Sequence, residues 1–194
     1  TNRSEKEKFE ITVTANSVKA TYDGKEHEAA GFETTEFTVN KQKYTVSGLT
    51  TESPKKTNAG TYTNNISGTA VVKDKAGNDV TAQFTVKTEN GNLVINKRSV
   101  TLTSEGGTKP YDGTALTNDK VTVGGEKFAE GEGAAYTVTG SQTLVGSSDN
   151  EFTYTLNDGT NADNYTIKQV YGTLKVTNRS EKEKFEITVT ANSV

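Results

Sequence analysis

His27, in the run Lys25-Glu26-His27-Glu28, is the only histidine of the chain. A nucleophilic triad needs such an imidazole beside a serine and a carboxylate. Nothing around His27 marks a nucleophile turn, so it reads as a loop or edge-strand residue. The carboxylate pairs Glu5/Glu7 and Glu130/Glu132 have the residue type for acid–base work, which requires two carboxyls in unequal environments. Interleaved lysines and glycines make them solvated faces instead. Calcium needs several oxygen ligands converging on one point. Asp74, Asn78 and Asp79 form one candidate set, and Asn157, Asp158, Asn161 and Asp163 a second. Neither has EF-hand spacing, and Asx-rich hairpin loops have the same composition. Gly124-Gly125 and Gly131-x-Gly133 lack the following Lys-Ser/Thr that a phosphate loop requires. Without any cysteine there is no disulfide, no thiolate metal site and no cysteine nucleophile. The expectation is a non-enzymatic protein with no catalytic, metal or cofactor residues and no assigned ligand site.

Two further chemistries rest on burial. An internal Lys–Asn isopeptide needs both partners and an acid inside an apolar core, and lysine is rarely buried. Tyr22 and Tyr111 have rings that could stack on carbohydrate; an amphipathic tyrosine more often buries its ring and leaves the hydroxyl to cap a loop. The sequons Asn65-Ile66-Ser67 and Asn164-Tyr165-Thr166 are expected by chance where threonine is about one residue in six. Only 30% of the 194 residues are hydrophobic and 24% are charged, with a net charge of −3. Mean hydropathy is −0.70. Apolar runs reach two or three residues, as in Leu93-Val94-Ile95, which excludes membrane insertion of this segment. Scattered Lys and Arg argue against a nucleic-acid surface.

The elements that must position these residues announce themselves by repetition. Residues 1–18 read TNRSEKEKFEITVTANSV, and residues 177–194 read the same without a change, an offset of 176. A weaker repeat lies inside that unit. Ile11–Thr14 and Tyr22-Asp23-Gly24 return as Val100–Thr103 and Tyr111-Asp112-Gly113, at offset 89. Tyr44–Gly48 returns as Tyr136–Gly140 at offset 92. Phe84–Lys87, Gly91, Leu93 and Ile95 return as Tyr165–Lys168, Gly172, Leu174 and Val176 at offset 81. Three blocks in one order indicate two divergent copies of one domain. Domain one is placed at 9–96 and domain two at 97–177, with 178–194 as the start of the next copy of the 176-residue repeat.

Within each copy the pattern is strand. Phe9, Ile11 and Val13 alternate with polar residues, as do Phe152, Tyr154 and Leu156, the period of a sheet buried on one face. Turn signals separate the runs at Asp23-Gly24, Gly106-Gly107, Asp112-Gly113, Gly124-Gly125, Asp158-Gly159 and the loop 74–79. A short helix near Lys127–Ala135 is an additional expectation. Both joints carry one element, Lys97-Arg98-Ser99 and Asn178-Arg179-Ser180, the second followed by a charged insert that predicts a freer bend. Residues 178–194 would hold a first strand without its module, leaving Phe185, Ile187 and Val189 uncovered or paired in trans.

Tyr-Asp-Gly near the first strand, then Asn161-Ala-Asp-Asn164-Tyr165-Thr-Ile167 and Tyr171-Gly172-Thr-Leu174-Lys-Val176, resembles the YDG-type and MBG-type tandem-repeat modules of bacterial cell-surface adhesins. Domain two matches best, through Lys109-Pro110-Tyr111-Asp112-Gly113-Thr114; domain one has Gln83-Phe84 in place of the Asn-Tyr pair. The resemblance implies a mainly β fold of two small β-rich domains, β-grasp-like or immunoglobulin-like, strung along an extracellular protein anchored to the bacterial surface elsewhere. If β-grasp-like, Ile11–Thr14 should lie parallel to Leu93–Ile95, and Val100–Thr103 to Leu174–Val176. The functional expectation is a structural stalk or spacer projecting a distal binding domain, with neighbouring repeats as its contacts. The alternative is an adhesive module that binds mucin, glycan or a host protein through the avidity of repeated weak sites.

Overall fold

Period-two alternation becomes strand over residues 9–177, and the protein is mainly β. The computed structural model describes Ser4 and residues 7–191. The chain divides into two compact units, residues 1–98 and 99–194. The first contains β1 (Phe9–Thr14), β2 (Val18–Thr21), β3 (His27–Glu28), β4 (Glu36–Val39), β5 (Gln42–Thr51), β6 (Lys55–Lys56), β7 (Gly60–Asn64), β8 (Ile66–Asp74), β9 (Phe84–Glu89) and β10 (Gly91–Asn96). From the boundary onward come β11 (Arg98–Ser104), β12 (Gly107–Pro110), β13 (Val121–Gly125), β14 (Ala134–Val138), β15 (Gly146–Asp149), β16 (Phe152–Leu156), β17 (Tyr165–Val170) and β18 (Thr173–Thr177).

In the first unit the opening and closing segments run side by side. β1 pairs parallel with β9, Phe9 opposite Phe84 and Thr14 opposite Glu89. β2 then pairs parallel with β10, Val18 opposite Leu93. The other edge of β10 takes β7 antiparallel, Gly91 opposite Asn64. A β4–β5–β8 sheet covers the core. Its hairpin between Val39 and Gln42 turns on Asn40 (φ +50°) and Lys41 (φ +66°), two left-handed residues that match the twist of the flanking strands. The inward residues Ile11, Val13, Val46, Val72 and Phe84 form the core, with Phe9, Phe37 and Tyr44 packed on it.

The second unit repeats the plan. β11 lies between β13 and β17, and β18 between β12 and β15. β12 and β18 are parallel with Gly107 opposite Leu174, the counterpart of Val18 opposite Leu93 at offsets 89 and 81. Val100, Leu102, Tyr165, Leu174 and Val176 are buried where Ile11, Val13, Phe84, Leu93 and Ile95 are buried in the first unit.

Two expectations are corrected. Ile11–Thr14 lies beside Val86–Glu89, not Leu93–Ile95, because the chain steps sideways at Ala15–Ser17 and only then reaches β10; likewise Val100–Thr103 lies between β13 and β17, not beside Leu174–Val176 in β18. The stretch 127–133 is turn and loop, not helix: Lys127 (φ +61°) and Gly131 (φ +81°) both reverse the backbone. Helical structure among the described residues is limited to three 3-10 turns, at Thr81–Gln83, Ala162–Asn164 and Glu181–Glu183. Beyond that last turn, residues 184–191 lie outside any strand.

Candidate functional site

The feature common to both units is the seam where the first strands meet the last. The sidestep in each seam requires a residue without Cβ. A Cβ at Gly91 would sit 2.2 Å from the Asn16 carbonyl oxygen and 2.5 Å from that of Ala15. A Cβ at Gly172 would sit 2.4 Å from the Gly106 nitrogen and 2.5 Å from the Ser104 carbonyl oxygen. Each crossing leaves backbone groups away from water, and a buried asparagine serves them. Asn64 donates from Nδ2 to the Asn16 carbonyl (3.1 Å) and accepts at Oδ1 from the Ser53 N–H (2.9 Å). Asn150 donates from Nδ2 to the carbonyls of Glu105 (2.8 Å) and Asn118 (2.7 Å). Its Oδ1 is buried without a hydrogen-bond partner among the described residues.

The seam is closed at its far end by the Tyr-Asp-Gly motif. The Tyr22 N–H donates to the Asn96 carbonyl, and the Tyr111 N–H to that of Thr177, 2.9 Å each, extending the parallel pairing by one rung. The aspartate that follows ties the turn. Asp23 Oδ1 accepts from the Lys25 N–H at 2.9 Å, and Asp112 Oδ1 from the Thr114 N–H at 2.9 Å. Gly24 (φ +80°) and Gly113 (φ +84°) supply the left-handed step between them. The guanidinium of Arg98 then donates from Nη1 to the Tyr22 carbonyl (3.1 Å), and Arg179 to the Tyr111 carbonyl (3.0 Å). An arginine two residues past the last strand thus clamps the turn that follows the parallel pairing.

The bonds that tie these turns depress their acids. Asp112 is held well below the usual carboxylate range, first by the Lys109 ammonium (2.8 Å), then by the N–H and hydroxyl of Thr114. The Lys25 N–H lowers Asp23, with a further contribution from His27, whose Nε2 lies 2.9 Å from Asp23 Oδ1. His27 therefore sits in the short strand β3 just after the turn, held by the turn's own aspartate.

The chain matches no protein-family model, no curated protein and no solved structure. What the seam and its clamp can do therefore follows from their own geometry.

The other sequence candidates do not converge. Asp74 accepts from the N–H groups of Ala76 and Asn78 and from Asn78 Nδ2, 2.9 Å each, so its own loop occupies both carboxylate oxygens. Asn78 is the chief cause of its lowered pKa. Asp79 binds the Thr81 N–H instead. Asn161 caps its 3-10 turn by accepting from the Asp163 N–H. No group of three or more His, Asp or Glu side chains suited to a metal occurs among the described residues. Glu132 accepts from the Tyr165 hydroxyl at 2.8 Å while Glu130 is exposed; Glu5 lies outside the described residues. No described lysine is buried, so the Lys–Asn crosslink lacks its lysine in a core. Tyr22 is buried and Tyr111 half-buried, which removes the Tyr22 face from any sugar. Asn164 is buried, and Asn65 donates to Glu52 at the surface. No helix among the described residues is long and apolar enough to cross a membrane.

Sequence reasoning missed Arg98 and Arg179 as clamps, although the likeness of the two joints was the signal. It also missed Asn64 and Asn150, whose common context (Asn, one residue, then Ile66 or Phe152) was legible.

Proposed function

We propose that this chain is a structural stalk segment of a repetitive bacterial cell-surface adhesin, one that holds a distal binding domain away from the cell. The observation that carries the reading is the parallel seam. In parallel strands, force applied at the start of the first and the end of the last runs in opposite directions along the ladder. Hydrogen bonds between β1 and β9 and between β2 and β10 are then loaded together in shear, where an antiparallel hairpin would open one bond at a time. The Arg98 clamp sits where the chain leaves the seam and adds a charged donor at the loaded end. The unchanged recurrence of residues 1–18 at 177–194 supports a protein whose output is length.

Since the chain has no cysteine, handles can be placed at will. Stretching the first unit through handles at Lys8 and Lys97 should require much higher force than through handles at Ala59 and Lys97, which unzip β7 from β10. Equal forces in the two geometries would reject the stalk mechanism. A multi-unit chain that binds mucin or a glycan array would favour the adhesive alternative.

A further inference from the structure

We propose that Asp158 is a site of spontaneous isoaspartate formation, so that ageing of the folded chain begins in the second unit. This stands apart from the stalk reading, because it rests on the chemistry of one turn. The reaction needs an aspartate or asparagine followed by glycine, whose backbone nitrogen no side chain shields. The sequence has four such pairs: Asp23-Gly24, Asn90-Gly91, Asp112-Gly113 and Asp158-Gly159. The carboxyl or carboxamide must also be free to turn back on that nitrogen, and folding removes this freedom at three of the four. Asp23 Oδ1 is held by the Lys25 N–H and by His27 Nε2, 2.9 Å each. Asp112 Oδ1 is held by Lys109 Nζ (2.8 Å) and by the N–H (2.9 Å) and hydroxyl (2.8 Å) of Thr114. Asn90 accepts from the Ile66 N–H and donates to Asn65 Oδ1, 2.9 Å each. Asp158 and Gly159 differ. Both are exposed, at the tip of a turn closed by the Thr160 N–H on the Asn157 carbonyl at 3.0 Å. Among the described residues neither the Asp158 carboxyl nor the Gly159 N–H has a hydrogen-bond partner. Nothing beyond its chain neighbours lies within 4 Å of where a Cβ on Gly159 would stand.

The step is a dehydration followed by a hydration. The Gly159 amide gives up its proton, and its nitrogen bonds to Asp158 Cγ. The carboxyl hydroxyl leaves with a proton as water, closing a five-membered imide. Water then adds back. Addition at Cγ restores aspartate. Addition at the Asp158 backbone carbonyl breaks the original peptide bond, so the chain then runs through Cβ and Cγ. The mass is unchanged, but the backbone is one carbon longer. Asp23 and Asp112 have a second protection: the hydrogen bonds that lower their pKa values hold them ionised, and only the acid form loses water. The extra carbon at Asp158 falls between two anchors of the preceding loop. The Asn157 N–H donates to the Gly133 carbonyl (2.9 Å), and Thr160 Oγ1 accepts from the Gly133 N–H (3.0 Å). Next to Gly133, Glu132 holds the Tyr165 hydroxyl. A longer turn cannot keep both anchors on Gly133, so the second unit loosens there. The first unit, whose two pairs are tied, does not.

The test is prolonged incubation of the full chain in warm neutral buffer, then proteolysis and fragmentation mass spectrometry that separates α-linked from β-linked aspartate. Isoaspartate is expected at Asp158 well ahead of Asp23 and Asp112, with Asn90 keeping its amide. In guanidinium chloride, where the ties are gone, all four pairs should react. Hydrogen exchange on the aged, folded chain should show the Gly133 amide less protected than in fresh protein. Asp158→Ser, at an exposed position with no bond to lose, should keep that protection through the same incubation. Folded protein in which Asp23 or Asp112 converts as fast as Asp158 overturns the proposal, as does an Asp158 that stays unchanged while the unfolded chain reacts. A Gly133 amide equally protected before and after conversion overturns the loosening of the second unit.

Discussion

Arg98 and Arg179 show how little chemistry a residue needs to organise a module. Each guanidinium spends one donor on the carbonyl of the tyrosine in a Tyr-Asp-Gly turn. A hydrogen bond from a charged group contributes roughly 1.5–3 kcal/mol when well enclosed, and half-buried Arg98 should fall at the lower end. Arg98→Ala is accordingly expected to cost the first unit about 1–2 kcal/mol in urea denaturation. The tied aspartates set the acid limit. Asp23, Asp74, Asp79 and Asp112 all have folded pKa values below those of the free side chain. Their contribution is complete above the unfolded value, near pH 4, and is lost as pH falls from there through the lower folded values. The melting temperature should therefore hold steady above about pH 5 and decline progressively below about pH 4. Asp112→Asn should flatten that decline, since it removes the group with the deepest shift. A melting temperature that rises on acidification from pH 5 would contradict this account.

Among the elements, the sidestep between the first strand and the next is the most constrained. In each unit the crossing depends on a glycine hemmed in by backbone, which cannot move aside as a flexible side chain would. Gly91→Ala and Gly172→Ala should each destabilise by about 2–3 kcal/mol through overpacking. Gly77 makes the useful contrast. It has φ +86° but nothing within 4 Å of where an added methyl group would lie, so Gly77→Ala meets only backbone strain of about 1 kcal/mol. Thermal unfolding of the three variants checks the order, and an equal loss at all three positions would mean the crossing is looser than described. The strand pairing on either side of the step also depends on the buried asparagines, which occupy corresponding places at the end of β7 and just after β15. They serve carbonyls that neither strand partner reaches.

At the scale of the whole molecule, the two units are variations on one plan with separate cores. The seam runs from Phe9 to Asn96 in the first and ends at Thr177 in the second. Stretching the full chain by its ends should give two discrete lengthening events, each of roughly 25–30 nm, the extension of some eighty to ninety freed residues. A single cooperative event of twice that length would show that the units do not yield separately. The second unit differs in one respect that bears on resistance to force. Its first strand is flanked on both sides, by β13 and β17, whereas among the described residues β9 is the one strand paired with β1. The first unit is thus expected to give the earlier event.

Much of this was readable in the chain of residues. The 176-residue recurrence, the three internal blocks and the period-two alternation are local signals, and offsets 89 and 81 recur as the matching registers of the two seams. The Asp-Gly turns were readable because glycine and aspartate carry their conformational preference within a few residues. What only the tertiary structure decided was partnership. Alternation says which face of a strand is buried but not which distant strand lies beside it, so it leaves Ile11–Thr14 one strand away from its true neighbour. The same limit hid Arg98 and Asn64: a polar side chain looks the same in sequence whether it meets water or a backbone carbonyl that folding has carried into the seam.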